Sequence, residues 1–575
     1  MNTAWFDRTR ELTLQLVRFP SLTNTVGETA CAQHIYGLLA ELPYFQDHPE
    51  HLRVVSTLDD THERSLVLAF VRGAGPHAVL LTGHFDVVSV ENFGELADLA
   101  FEPEQLLPKL IQHLRSNAAP ANANALRDFE SGDYMPGRGA LDMKSGLAAG
   151  MAVLEKFAAT PDLTGNILFA AVPDEEATSQ GMRSLVRLLP ALAAELNVSF
   201  EAAINLDSGV NLGSDDDGRA VFLGSVGKLL PSVFFVGRPT HAGAPFDGVN
   251  AALLAAELTR LVECNPDAGD AAPTPSPVRT GEGSFSPPSR SEPFRRSGRG
   301  LGGGPASPPV TLYQTDRRTN YDVTTPATAW CAFNVLTHWR TPRMIVDSFV
   351  QLTEQAMHSA LSLLRERATR SAFGLGMAVP ARNWQSHVMT FAELKARVGE
   401  ARTMQIAQAL AQDPALDNIN LSQQMIEAMV REANVEGPTA IVCIASLYYP
   451  KVLLGDAPRD ARLRAIVDAE AGQLSKESGM SIGLRPFFSG ISDMSFVSNQ
   501  DDADSIRTVT QNTPTWGTRL KFDYALAASL TLPIVNVGPW GQDYHQKTER
   551  VHMPYSFGVV PELLWRVTNK IFDHG

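Results

Sequence analysis

At 575 residues, 44% of them hydrophobic and 19% charged, the chain is longer than one ordinary core requires and predicts about two to four domains. Its net charge of −15, without a lysine or arginine block, excludes the basic footprint of a nucleic-acid binder, and no apolar run approaches a membrane span. Four scattered cysteines, Cys31, Cys264, Cys331 and Cys443, form no Cys-x-x-Cys pair and predict a reducing, cytoplasmic setting.

From Asn2 to about Leu42 an apolar period of 3.6 predicts two helices joined at Phe19-Pro20-Ser21-Leu22, with charges through what would be the apolar part of a signal peptide. Strands follow at Ser65–Val71 and Ala78–Leu81, the second running into Gly83-His84-Phe85-Asp86. The charged, Asn/Ala-rich stretch from Glu91 to Asp133 reads as a surface excursion with some helix. Gly137-Arg138-Gly139-Ala140-Leu141-Asp142-Met143-Lys144-Ser145-Gly146 then gives a backbone able to turn tightly before an apolar helix. Apolar strands at Asn166–Val172 and Ala202–Leu206 end in Pro173-Asp174-Glu175-Glu176 and Asp207-Ser208-Gly209. This alternation predicts an α/β domain with a mostly parallel sheet and helices on both faces.

Near Gly224 the texture changes to a strand at Leu229–Val236, a helix at Asn250–Glu263, a strand at Ala327–Leu336 and a long helix at Met344–Arg367. That pattern predicts an inserted α+β domain over 221–390, dividing the catalytic domain into 1–220 and 391–575. Residues 267–309 are dominated by Pro, Gly and Ser and read as a flexible loop. Helices resume from Phe391 to about Ala433, followed by a strand within Ala440–Leu454, a helix at Arg459–Glu477, a last core strand at Leu532–Val537 and a closing amphipathic helix.

A histidine and an aspartate two residues apart at a strand end leave the same face. Alone, such a pair is more often a structural hydrogen bond than a metal site. Here Asp142, Glu175, Glu176 and Asp207 also stand at or near strand ends, and His545 follows the last core strand. Carboxylates gathered without basic partners raise one another's pKa values, and divalent metal removes that conflict. Imidazole and oxygen ligands without thiolate suit zinc, manganese or cobalt, and the number of candidate ligands suits two ions sharing a carboxylate.

The ordered motifs GHFDVV, GRGALDMKSG, VPDEEATSQGM, NLDSG and GRPTHAGAPFDGVNA, with His545 and Glu549 after them, resemble the clan MH zinc metallopeptidase family of carboxypeptidase G, aminoacylase, acetylornithine deacetylase and succinyl-diaminopimelate desuccinylase. Within it, GHFDVVSVENFGELADLAF, SGDYMPGRGALDMKSG and GISDMSF are most similar to RocB-type arginine-utilisation proteins. The resemblance implies that His84 and Asp207 hold one ion, that Glu176 and His545 hold the other, and that Asp142 bridges them. It further implies that Asp86 orients His84 and that Glu175 is the general base acting on a metal-bridging water. His241, in the inserted domain, would reach the oxyanion of a tetrahedral intermediate, often from the partner subunit of a homodimer built through that ferredoxin-like lid. Asn320, Gly490 and Ser492 would contact substrate, and the bond after Asp142 would be cis. The expected activity is hydrolysis of the amide bond of an N-acyl amino acid or small peptide in arginine or amino-acid catabolism. Alternatives are a non-catalytic metabolite-binding or regulatory relative, or a dimetal hydrolase of cyclic amides or amidines.

The family's arginine for the substrate carboxylate is missing: the comparable stretch reads Ala332-Phe333-Asn334-Val335, leaving Arg317 or Arg318 as substitutes, although surface arginines beside a strand are more often solvated. Gly490-Ile491-Ser492-Asp493 can equally be a turn that caps the next segment. His34, His48, His51, His113, His338 and His387 show no partner at metal spacing in the sequence and read as surface or core residues.

Overall fold

The computed structural model describes residues 3–117, 122–209, 218–269, 307–316, 318, 320, 322–374, 383–413 and 415–573. Residues 270–306, most of the Pro/Gly/Ser-rich stretch, lie outside them, so the expectation of a flexible loop there does too. The chain forms two compact units: Met1–Val226 with Tyr449–Gln500 and Phe522–Gly575, and Gly227–Tyr448 with Asp501–Lys521.

The first unit is built on an eight-stranded sheet. Its strands lie in the order Leu52–Ser56, Ser65–Arg72, Thr164–Val172, Ala74–His84, Ser199–Asn205, Ile534–Asn536, Ala220–Phe222 and Gly483–Arg485. The central strands from Thr164–Val172 to Ile534–Asn536 run parallel. The strand Leu52–Ser56, which the sequence reading did not include, adds an antiparallel edge. Central strands are buried along nearly their whole length: Ala78 to His84 and Gly165 to Val172 are all buried, as the continuous apolar runs require when helices cover the sheet. Leu12, Leu16, Ile35, Met151, Leu154, Val467, Leu563 and Val567 from five helices join Val79, Leu81, Ile167, Phe169 and Ile204 from the sheet in one core.

The register decides where chemistry gathers. His84 pairs with Val172, and Thr82 pairs with Asn205. The segments leaving these three strands, Phe85-Asp86, Pro173-Asp174-Glu175-Glu176 and Leu206-Asp207, therefore emerge at one carboxyl edge, where ligands bind in parallel α/β sheets.

The stretch from Glu91 to Asp133 is more than a surface excursion. The helices Pro103–Ser116 and Ala123–Ser131 bury Leu106, Leu110, Leu114, Ala125 and Phe129 with Phe93 in a core of their own. Buried Arg550 then ties this core to the hairpin carrying His545, through Asp128 at 2.7 Å.

The second unit has a sheet ordered Val310–Thr315, Thr328–Thr337, Pro231–Val236, Thr439–Ile444 and His387–Thr390, antiparallel except for the last pair. Residues 391–448, expected in the first domain, pack here instead. Thr439–Ile444 is buried throughout and pairs with Pro231–Val236 along its full length. Phe391, Leu394, Met425, Ile426 and Met429 from the adjoining helices close over Phe234 and Trp330. A uniformly apolar strand carries no signal of which sheet it joins.

Candidate metal and catalytic site

His84 terminates its strand with a wholly buried ring. Its Nδ1 lies 3.1 Å from the Asp86 carbonyl oxygen and 3.5 Å from the Asp86 carboxylate, so the backbone carbonyl is the closer orienting acceptor. The Asp86 carboxylate serves another segment. It accepts the backbone N–H groups of Glu175 at 3.0 Å and Glu176 at 3.2 Å, and the Thr23 hydroxyl at 3.0 Å.

Asp142 lies in an irregular turn before the helix Ser145–Ala159, and the Asp142–Met143 bond is cis. The turn is fixed by Glu549, whose carboxylate accepts the N–H groups of Leu141 at 3.2 Å and Asp142 at 3.3 Å and is paired with buried Arg138. One Asp142 oxygen lies 3.4 Å from His84 Nε2 and the other 3.2 Å from His545 Nε2.

Glu175 and Glu176 sit on a loop held from behind by Asp174. This residue takes a left-handed conformation at φ 71°, accepts the Thr178 hydroxyl at 2.6 Å and the Gln180 N–H at 3.0 Å, and pairs with Arg64. Glu176 reaches His545 Nε2 at 2.9 Å, whereas the nearest Glu175 oxygen stays 3.8 Å from His84 Nε2. Asp207 lies 3.9 Å from His84 Nε2. Its backbone is clamped by Asn536, which accepts the Asp207 N–H at 3.0 Å and donates to the Asp207 carbonyl at 2.8 Å. His545 belongs to a hairpin loop pairing Gly541–Gln542 with Arg550–His552, and Asn92 donates to its carbonyl oxygen at 2.6 Å.

Two donor sets result, His84 with Asp142 and Asp207, and Asp142 with Glu176 and His545; within each, the donor atoms lie within 4.8 Å of one another. A zinc ion with ligands at about 2.0–2.2 Å places tetrahedral ligands roughly 3.3–3.5 Å apart. The His84–Asp142 and His545–Asp142 spacings match that edge. The residues present therefore fit a divalent metal, and Asp142 is common to both sets.

The electrostatics lead the same way. Burial pushes Glu175 well above the usual carboxylate range, and Asp207 and Glu176 add to that push against the pull of His84. Burial and the Asp142 charge raise Asp207 to about 8, and burial raises Glu176 despite its bond to His545. Asp142 is held low because hydrogen bonds to His545 and His84 outweigh its burial. His545 is raised to about 10 against burial by Asp142 and Glu176. Only the imidazoles offset this crowd of acids within the two donor sets, and bound cations remove the conflict.

The remaining sequence candidates lie outside the two donor sets. His241, in the second unit, is exposed, and its Nδ1 accepts the Gly243 N–H at 3.0 Å. Asn320, in the same unit, is exposed. Ser492 is buried, takes a hydrogen bond from Asn205 at 3.0 Å and caps the turn Asp493–Phe496, while the Gly490 carbonyl accepts from Ser225. Of these, the Ser492 bond from the Met494 N–H is the one that caps the turn. Arg318 is bound locally to Asp316 and the Thr324 carbonyl, and Arg317 lies outside the described residues. His48 and His51, read as isolated, come together with Glu50. Thr23, Arg64, Asn92 and Asn536, which hold the site from behind, carry no signal in the sequence. Nothing in an apolar or polar period marks residues whose importance is their partner across the fold.

The model of peptidase family M20/M25/M40 matches residues 117–500. The chain is 31% identical to YqjN of Bacillus subtilis over 98% of this chain and 96% of that protein. It is 28% identical to the protein RocB of the same organism over 99% and 95%. Among solved structures, the dipeptidase Dug1p of Saccharomyces cerevisiae shares the fold with a TM-score of 0.51 at 12% identity, covering 99% of this chain and 98% of that one. The chain belongs to peptidase family M20/M25/M40, a family of metal-dependent hydrolases of amide bonds.

Proposed function

We propose that the protein hydrolyses the amide bond of an N-acyl amino acid or small peptide at a two-metal centre, in amino-acid catabolism of the kind its resemblance to arginine-utilisation proteins implies. The observation that carries this reading is the sharing of Asp142 between two donor sets, with Glu175 beside them outside both sets. His84 and Asp207 would hold one ion, Glu176 and His545 the other, and Asp142 both. Zinc suits the imidazole and carboxylate donors best, with cobalt or manganese next. When bound, the ions polarise the scissile carbonyl and make water more acidic.

The chain's own residues supply the remainder. Asp86 fixes the backbone of both glutamates and so sets where the Glu175 carboxylate points. Glu175 accepts the proton of the attacking water and returns it to the leaving amine nitrogen, a task that suits a carboxylate whose pKa burial has raised. The loop bearing His241, through its resemblance THAGAPFDGVNA, supports a role for that histidine at the developing oxyanion and a homodimer built through the second unit. Asn320 would contact substrate. Gly490 and Ser492 would border the substrate through their turn. The scattered, unpaired cysteines support a cytoplasmic setting.

The test is a screen of N-acyl amino acids and dipeptides with metal-loaded protein, repeated with Glu175→Gln. A hydrolysed substrate whose turnover falls by about 10²–10⁴-fold in the variant, at unchanged metal content, is the expected outcome. Turnover in Glu175→Gln near that of the wild type would remove the assigned base.

A further inference from the structure

Away from the carboxyl edge, in the first unit, His48, Glu50 and His51 form a third group of metal-capable donors. They lie within four consecutive positions, His48-Pro49-Glu50-His51, where the short helix Pro43–Asp47 turns through a 3-10 segment into the edge strand Leu52–Ser56. We propose that this turn binds one borderline divalent transition ion, zinc, nickel or copper, through His48 Nδ1, Glu50 Oε1 and His51 Nε2, with solvent completing the coordination.

Glu50 Oε1 lies 3.6 Å from His48 Nδ1 and 3.7 Å from His51 Nε2. These spacings are close to the roughly 3.3–3.5 Å edge of a tetrahedral zinc site; the His48 and His51 rings stack at 5.4 Å and 22°, so closing the set requires the exposed His48 ring to turn off that stack while the Glu50 side chain moves inward. The His51 ring is also oriented. The other ring nitrogen of His51, Nδ1, lies 2.9 Å from the Tyr44 hydroxyl, which also accepts the Arg72 backbone N–H at 2.8 Å. Tyr44 therefore stands where the outer partner of a metal-bound imidazole stands and fixes the face that His51 presents. The ring is further held edge-on to Phe70 at 5.3 Å.

Two imidazoles and a carboxylate without thiolate select a borderline ion over calcium or magnesium. Because the donors span the junction of the helix and the edge strand, an ion here clips the free edge of the large sheet to the preceding turn.

Zinc binding to the purified holoenzyme by calorimetry, compared with His48→Gln and Glu50→Gln, tests the proposal. Both substitutions change exposed side chains, so folding and hydrolysis are expected to match the wild type. The wild type should take up one zinc equivalent more than either variant, and added zinc should raise its melting temperature more than theirs. Equal stoichiometry and equal thermal shifts in all three proteins would overturn the site. Loss of the two-metal reading of the Asp142 centre would change all three proteins alike and leave this difference intact.

Discussion

The Asp86 carboxylate accepts the backbone N–H of Glu175 at 3.0 Å, tying the end of the His84 strand to the loop that bears the proposed base. With the second bond to the Glu176 N–H, one buried carboxylate registers two neighbouring segments of the site. Replacing it therefore disturbs both metal retention and base placement. Asp86→Asn keeps the size but turns one acceptor into a donor aimed at an N–H group. Metal affinity should fall by about 10–100-fold, with kcat falling as well, measured by metal titration and steady-state kinetics. Affinity equal to wild type would show that the His84 face is set by the Asp86 carbonyl alone.

Arg138 and Glu549 are both buried, and their pairing supports the Asp142 turn. Glu549→Ala leaves the Arg138 charge uncompensated, a change that costs about 3–5 kcal/mol. The melting temperature should drop accordingly, and removing both partners in Arg138→Met/Glu549→Ala should recover part of it. A single variant as stable as wild type would contradict the reading of this pair as an anchor.

Gly146 opens the helix behind Asp142 where it packs on the segment leading to Asp207. A Cβ there would lie 1.9 Å from the Leu206 carbonyl oxygen, a backbone atom that cannot swing away. Gly146→Ala should destabilise the protein by about 1–3 kcal/mol or more and lower the occupancy of the ion beside Asp207. Thermal melting and metal analysis read the two effects separately.

Asp60 gives a dependence on pH. Burial works to raise its pKa, but hydrogen bonds from Arg64, the His62 N–H and Thr57 prevail and hold it at about 2. A carboxyl lowered in the folded state stabilises the fold above its unfolded value near 3.9, and that contribution is lost as pH falls from about 4 towards 2. Asp60→Asn should cost about 2 kcal/mol at pH 7, with wild type and variant converging near pH 2 in denaturant titrations. A constant difference across that range would exclude the ionised pair as its source.

Much of the site was legible in the sequence because its residues stand at the ends of recognisable apolar strands. His84 ends a buried strand, Glu175, Glu176 and Asp207 follow theirs by at most four positions, and the parallel register of those strands brings them to one edge. His545 was legible only through its motif neighbours, since its hairpin is short and irregular. What escaped was pairing at long range. The polar composition of 91–133 concealed a small core that braces the His545 hairpin through Asp128 and Arg550. The apolar strand Thr439–Ile444 gave no hint that it belongs beside Phe234. His48 and His51 looked isolated because the glutamate between them in sequence is an ordinary surface residue until the turn brings its carboxylate within 3.7 Å of both rings.

The sharing of Asp142 is the centre of the account, and anomalous diffraction from crystals of metal-loaded protein tests it most directly. Two peaks about 3.5–4 Å apart are expected in the pocket, one beside His84 and Asp207, the other beside Glu176 and His545, with Asp142 touching both. A single peak there, or two that do not share Asp142, would contradict it.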